Sequence, residues 1–193
     1  MSLLTITAIT SMAHEHIPFV QQLYQTAFPP EERRVFSSIS LAPAPAGGEA
    51  GMQLLLAQDA TLAPVAFAFV WDFKQFRFIE HLATAPQHRG KGYGNYIMQL
   101  LLPAGKPCLL EVEPPHDEQS EKRICFYQKL GFTQSSITYL QPPYHIGGAA
   151  LPMLLLTNPF IPAATTLEYA AQIHTTVYAL SESLCRPGGE KVQ

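Results

Sequence analysis

Residues Glu80 to Leu102 read EHLATAPQHRGKGYGNYIMQLLL, and this stretch governs how the rest of the chain is understood. An apolar, strand-like run ends near Thr84 and meets a turn at Pro86. Three glycines follow at alternate positions, Gly90, Gly92 and Gly94, and then Ile97, Leu100 and Leu101 fall at helical spacing. The order strand, glycine loop, helix sets the unpaired N–H groups and positive dipole end of a helix beside an open loop. Glycines carry no Cβ to hold an anion away from the backbone, and Arg89 and Lys91 add positive charge, so the segment predicts an anion cradle.

Spacing discriminates among phosphate loops. A Walker loop requires Gly-Lys followed by Ser or Thr, and no such pair follows these glycines. A dinucleotide fingerprint counted from Gly90 requires glycine at position 95, where Asn95 stands. What remains is Arg-x-x-Gly-x-Gly, carried by Arg89, Gly92 and Gly94 behind a proline turn and ahead of an aliphatic helix. This arrangement resembles the acetyl-CoA pyrophosphate loop of the GNAT superfamily of N-acetyltransferases; an ordinary glycine-rich turn is the competing reading of the hexapeptide alone.

Outward from that loop, Leu3 to Ile9 alternates apolar residues with threonine as a strand does. Ile17, Val20, Leu23, Tyr24 and Ala27 form the apolar stripe of a helix with Pro18 in its first turn. After Pro29 and Pro30, Glu31 and Glu32 are expected to open a second short helix running through Arg33, Val35 and Ile39. The segment APAPAGGEAG, Ala42 to Gly51, reads as a mobile surface loop. Met52 to Gln58, Pro64 to Trp71 and Gln75 to Thr84 read as consecutive antiparallel strands, and Cys108 to Glu113 as a short strand closed by Pro114 and Pro115. Ser120 to Leu130 predicts a helix ended by Gly131. Strands are expected at Thr133 to Leu140 and Met153 to Thr157. A last helix is expected to open on a capping box of Thr165 and Glu168, with Ala170, Ile173, Val177, Leu180 and Leu184 along one side. The tail RPGGEKVQ is expected to fray.

That order of elements is similar to the GNAT order, and RICFYQKLGF, Arg123 to Phe132, is similar to the family's tyrosine-containing helix ending in Leu-Gly-Phe. The resemblance covers roughly residues 3 to 157. It implies a mixed α/β fold: a mostly antiparallel, splayed sheet of about seven strands flanked by helices, with an extra C-terminal helix. The chain of 193 residues, 47% hydrophobic, suits a single domain over 1–193, with a core at about 3–157 and a helical extension at about 165–185. Packing of the extension on the sheet is preferred over a dimer seam, and monomer and homodimer both stay open.

Twelve basic against fifteen acidic residues, a net charge of −3, and no basic run argue against nucleic acid. MSLLTITAIT lacks a basic leader and no run approaches bilayer length, so a cytoplasmic protein without membrane association is expected. Cys108, Cys125 and Cys185 read as reduced thiols, with Cys125 as core. The seven histidines show no ligand spacing, so no metal is expected.

By resemblance, acetyl-CoA would be held by Leu82, Ala83 and Thr84 on the strand, by Arg89, Gly90, Lys91, Gly92, Tyr93, Gly94 and Asn95 on the loop and helix start, and by Arg123 and Tyr127. Tyr127 matches the tyrosine that in many members protonates the leaving thiolate, a role its phenol suits. Transfer to an amine also needs a proton acceptor, because an alkyl amine with pKa about 10 is mostly protonated at neutral pH. Glu80 is the expected base, its pKa raised by apolar neighbours and clustered like charges. Glu111 and Glu113, two apart on one strand face with Leu110 and Val112 on the other, are expected to bind the amine, and an ordinary solvated face is their alternative. Tyr144 and His145, in the loop QPPYHIGGAALP, would border the acceptor pocket by resemblance.

The leading function is therefore direct acetyl transfer to the primary amine of a small molecule, protein or peptide. A non-catalytic acyl-CoA-binding regulatory module is the alternative, and retention of Glu80 with Tyr127 favours the enzyme. A dinucleotide-dependent oxidoreductase is disfavoured by the glycine spacing and by antiparallel strands ahead of the loop.

Overall fold

A computed structural model describes residues 4–41, 50–102, 105–145 and 147–178. The expected mobile loop falls largely on residues 42–49, and Leu180, Leu184, Cys185 and the tail fall beyond 178, all outside the described residues. In chain order the elements are β1 (Thr5–Ile9), α1 (Ile17–Ala27), β2 (Gly51–Gln58), β3 (Pro64–Asp72), β4 (Arg77–Thr84), α2 (Tyr93–Leu101), β5 (Cys108–Val112), α3 (Glu118–Lys129), β6 (Thr133–Gln134), β7 (Tyr139–Gln141), β8 (Leu151–Asn158) and α4 (Ala163–Val177). All strands join one sheet in the order β1-β2-β3-β4-β5-β8-β6, with β7 also on β8. Among the described residues only the β4–β5 pair is parallel. The fold is thus mixed α/β with a mostly antiparallel sheet. The described residues form eight strands where about seven were expected, because the run from Thr133 to Leu140 breaks at Ser136 into β6 and β7.

Alternation along the strands feeds three apolar clusters. On one face Ile79, Leu110, Val112 and Leu156 meet Ile97, Met98 and Leu101 of α2 and Tyr127 of α3. On the other, Leu54, Leu56, Phe67 and Phe69 pack under Val20, Leu23 and Tyr24 of α1. Beside them Phe76, Phe78, Leu109 and Leu155 pack under Tyr169, Ala170, Ile173 and Val177 of α4. The C-terminal helix therefore packs on the sheet.

Several local expectations are corrected. No helix spans Glu31 to Ile39: two 3₁₀ turns, Pro30–Glu32 and Phe36–Ser38, flank an extended Arg33 and Val35. Arg34 between them donates its backbone N–H to Tyr24 Oη at 2.8 Å and sends its side chain inward. Helix α3 starts earlier than Ser120, because Asp117 caps it: Asp117 accepts from Ser120 N at 2.7 Å and Ser120 Oγ accepts from Asp117 N at 3.0 Å. Helix α4 starts at Ala163 behind Pro162 with no capping box at Thr165; Thr166 Oγ1 donates to the Pro162 carbonyl at 3.0 Å instead. Leu100 is exposed and Met98 takes its place in the α2 stripe, while Cys125 is exposed on α3, not core.

Candidate active site

Strands β4 and β5 pair only from Arg77↔Cys108 to Ile79↔Leu110. Beyond that point they part, and a groove and a cavity open along the gap. The register of β4 against β3 also slips there: Phe69 pairs with His81 and Val70 with Ile79, so Glu80 is the extra residue of a β-bulge. The bulge breaks alternation and sends Glu80 and His81, adjacent in sequence, toward the same side, His81 against Tyr24, Phe28 and Phe69 and Glu80 against Trp71 and Tyr144.

The groove, about 680 Å³, runs along Leu82 and Thr84, the loop from His88 to Gly92, the start of α2 from Tyr93 to Asn95, and Gln119, Lys122, Arg123, Phe126 and Tyr127 of α3. Gly90 and Gly92 have φ of +76° and +81°, and a Cβ at either position meets no atom within 4 Å. These glycines are required by backbone conformation, more than by space. Gly92 caps α2 without a side-chain hydrogen bond, so the first-turn N–H groups face the groove with no capping oxygen. Arg89 lines it too, its Nε donating to the Thr84 carbonyl at 3.3 Å, and Lys91 is exposed beside His88. This combination fits the diphosphate of a CoA thioester. Of the expected contacts, Ala83 is turned the other way, buried beneath α1. Gln119, Lys122 and Phe126 were missed because they share only helix periodicity with Arg123.

The cavity, about 200 Å³, is lined by Glu32, Glu80, His81, Glu111, Glu113, Gln141, Met153 and apolar residues of β4 and β5. It joins the groove through shared walls: Leu82, Thr84, Arg89, Gln119, Arg123 and Tyr127 belong to both. Tyr127 thus stands at the junction. Its hydroxyl has no hydrogen-bond partner among the described residues, and burial pushes its pKa up to about 12, so it stays protonated.

Glu80 is not the raised base expected from its apolar neighbours. Its side chain is 1% exposed, and burial alone would raise it, but Arg34 Nε at 2.9 Å, Trp71 Nε1 at 2.6 Å and Tyr144 Oη at 2.9 Å donate to it. The guanidinium and these donors outweigh burial and hold its pKa below the ordinary value. Arg34 Nη2 also donates to the Val177 carbonyl at the end of α4.

Glu111 is not on a solvated face. Tyr139 Oη donates to its Oε1, and Tyr178 Oη at 2.7 Å and Gln141 Nε2 at 2.6 Å donate to its Oε2. Burial nevertheless raises it to about 7. Glu113 pairs with Arg123 Nη1 at 2.9 Å. Glu32, held by its carbonyl on His81 Nε2 at 2.9 Å, is raised to about 7 by burial and by its shared hydrogen bond with Glu113. Tyr144 lies within the Glu80 cluster, and His145 contacts the Pro30 carbonyl at 3.0 Å. Glu32, Arg34 and Tyr178 escaped sequence reading because each reaches the site from an irregular segment or an element end. Among the described residues no group of three or more His, Cys, Asp or Glu could hold a metal ion, and no helix is long and apolar enough to cross a membrane.

Residues 51–134 match the acetyltransferase (GNAT) domain model. A solved structure from Bacteroides thetaiotaomicron, assigned as an acetyltransferase of the GNAT family, aligns with a TM-score of 0.78 at 35% identity, covering 90% of this chain and 98% of that one. YjbC of Bacillus subtilis (strain 168), assigned as an acetyltransferase, is 39% identical over 71 residues, so the match spans 35% of this chain and 37% of YjbC. Arabidopsis thaliana Naa50, solved with the bisubstrate analogue CoA-Ac-MVNAL, shares the fold at a TM-score of 0.52 and 18% identity, covering 80% of this chain and 99% of that one.

Proposed function

Because the chain belongs to the GNAT acetyltransferase family, we propose that it is an acetyl-CoA-dependent N-acetyltransferase acting on the primary amine of a small molecule. The observation that carries this reading is the junction itself, where Tyr127, its protonated hydroxyl without a hydrogen-bond partner among the described residues, stands between a groove lined by a glycine loop and an acidic cavity. The cavity, about 200 Å³, lies below the ~300–1,000 Å³ that encloses drug-sized ligands, which suits an acceptor that buries little more than an amine and a short alkyl chain.

Acetyl-CoA in the groove would supply an acyl group activated as a thioester. The first-turn N–H groups of α2, with Arg89, bind and orient its phosphates. Glu32, half-buried in the cavity wall and titrating near neutral pH, takes the proton that an incoming ammonium must lose. Tyr127 gives its hydroxyl proton to the departing sulfur and regains one from solvent. Glu80, neutralised by Arg34, serves to hold the bulge and Tyr144 in place. Since one amine proton is lost before attack and one after, and the sulfur takes one, a single proton is released per turnover.

Incubation of the full chain with acetyl-CoA and a pool of primary amines tests this reading. Acetylated product together with stoichiometric CoA thiol is expected. Tight CoA binding with no turnover on any amine would instead support the non-catalytic module.

A further inference from the structure

Four carboxyl groups line the acceptor cavity, and the protein supplies cations to two of them. Arg34 pairs with Glu80 and Arg123 with Glu113, each at 2.9 Å. Glu32 and Glu111 line the same cavity with no Lys or Arg within ion-pair distance among the described residues. The remaining guanidinium, Arg89, sits where the cavity meets the groove, against the Thr84 carbonyl, and its charge belongs with the cofactor phosphates. His81 adds none, since burial lowers its pKa and keeps it neutral. Around Glu32, Arg123 acts only at longer range from its pair with Glu113, and Glu113 and Glu31 add negative charge.

The neutral polar groups agree. His81 and Gln141, each 4% exposed, line this cavity and each carries a buried atom without a hydrogen-bond partner, Nδ1 and Oε1 respectively. Both atoms are acceptors. His81 Nε2 must carry the ring proton to reach the Glu32 carbonyl, which leaves a bare lone pair on Nδ1. Gln141 directs its amide nitrogen to Glu111 and, at 3.0 Å, to Tyr178 Oη, which leaves its oxygen unserved. Unserved buried acceptors are costly, and an ammonium group, which is donor-only, satisfies them. Ile79, Leu110, Val112 and Met153 in the same wall suit methylenes.

Building on the acetyltransferase reading, we infer that the acceptor is a linear alkyl diamine. Its reacting amine lies with Glu32 and Glu113 at the Tyr127 end, and its second ammonium lies with Glu111 and Gln141 at the other. A dication supplies charge to the two carboxyl groups that have no Lys or Arg ion-pair partner among the described residues, and the small volume limits the linker to a few methylenes.

The test compares 1,4-diaminobutane with 1-aminobutane on the full chain. The diamine is expected to have kcat/KM at least about tenfold higher, the order of one well-formed charged contact. Glu111→Gln should bring the ratio toward one, whereas Glu32→Gln should lower both rates and leave the ratio. Should Glu111→Gln fail to fold, calorimetry on wild-type protein saturated with CoA decides. Burial raises both Glu32 and Glu111, so at neutral pH 1,4-diaminobutane should displace more protons than 1-aminobutane, read from heats in buffers of different ionisation enthalpy. Equal kcat/KM for the two probes, or equal proton release, overturns the inference. Proton-linked diamine binding without acetylation of either probe would keep the diamine site and remove the transferase reading.

Discussion

Replacing Arg34 with methionine tests the electrostatic logic of the acceptor side most directly. In the wild type, Glu80 is buried and depressed by Arg34, so its contribution to stability is present above its unfolded pKa of about 4.5 and is lost as pH falls through the folded value. Without the guanidinium, the folded protein can bury a naked carboxylate or protonate it. Protonation costs about 1.36 kcal/mol for each pH unit above 4.5, or about 3.4 kcal/mol at pH 7, and so caps the charge penalty. Loss of the bond to the Val177 carbonyl adds roughly 1 kcal/mol. The expected destabilisation is therefore about 3–5 kcal/mol at pH 7, in line with breaking one partner of a buried pair, and about 2 kcal/mol less at pH 5.5. Urea unfolding at both pH values measures this. A loss below about 1 kcal/mol at pH 7, or one of equal size at both pH values, would show that Arg34 and Glu80 do not form a desolvated pair.

Tyr127→Phe should lower kcat roughly 10²-fold while leaving CoA affinity nearly unchanged; wild-type turnover would return Tyr127 to a packing role. Gly92→Val forces a β-branched residue to a φ near +81°, at a cost of at least about 1–2 kcal/mol, so CoA affinity by calorimetry should fall at least tenfold in a folded protein, and unchanged affinity would dismiss the cradle. The profile of kcat/KM should rise with pH through about 7 as Glu32 deprotonates, and Glu32→Gln should flatten it; an unaltered profile in that variant would assign the base elsewhere.

The groove half of the candidate site was legible as a backbone cradle because its determinants are contiguous. Gly90 and Gly92 need a left-handed backbone, Arg89 precedes them by fixed spacing, and the Tyr127 helix ends on Gly131, whose φ is +86°. The acceptor half was not, for two physical reasons. A β-bulge is invisible to period-two reading, so nothing announced that Glu80 would turn toward Trp71 and Tyr144. The sign of the Glu80 shift then depends on Arg34, 46 residues away, which enters from an extended segment that charge and propensity alone suggested was helical. Glu111 shows the same limit from the other side: its place on the strand face was readable, but its three hydrogen-bond donors come from β7 and from the residue after α4.

The two halves of the site also differ in where along the chain they are specified. Every groove wall lies between Leu82 and Tyr127, whereas the acceptor cluster takes contacts from the far end of α4, where the Val177 carbonyl accepts from Arg34 and Tyr178 donates to Glu111. The end of α4 is thus a member of the acceptor cluster that contributes no wall residue to the groove, so a change there bears on one half of the site and spares the other.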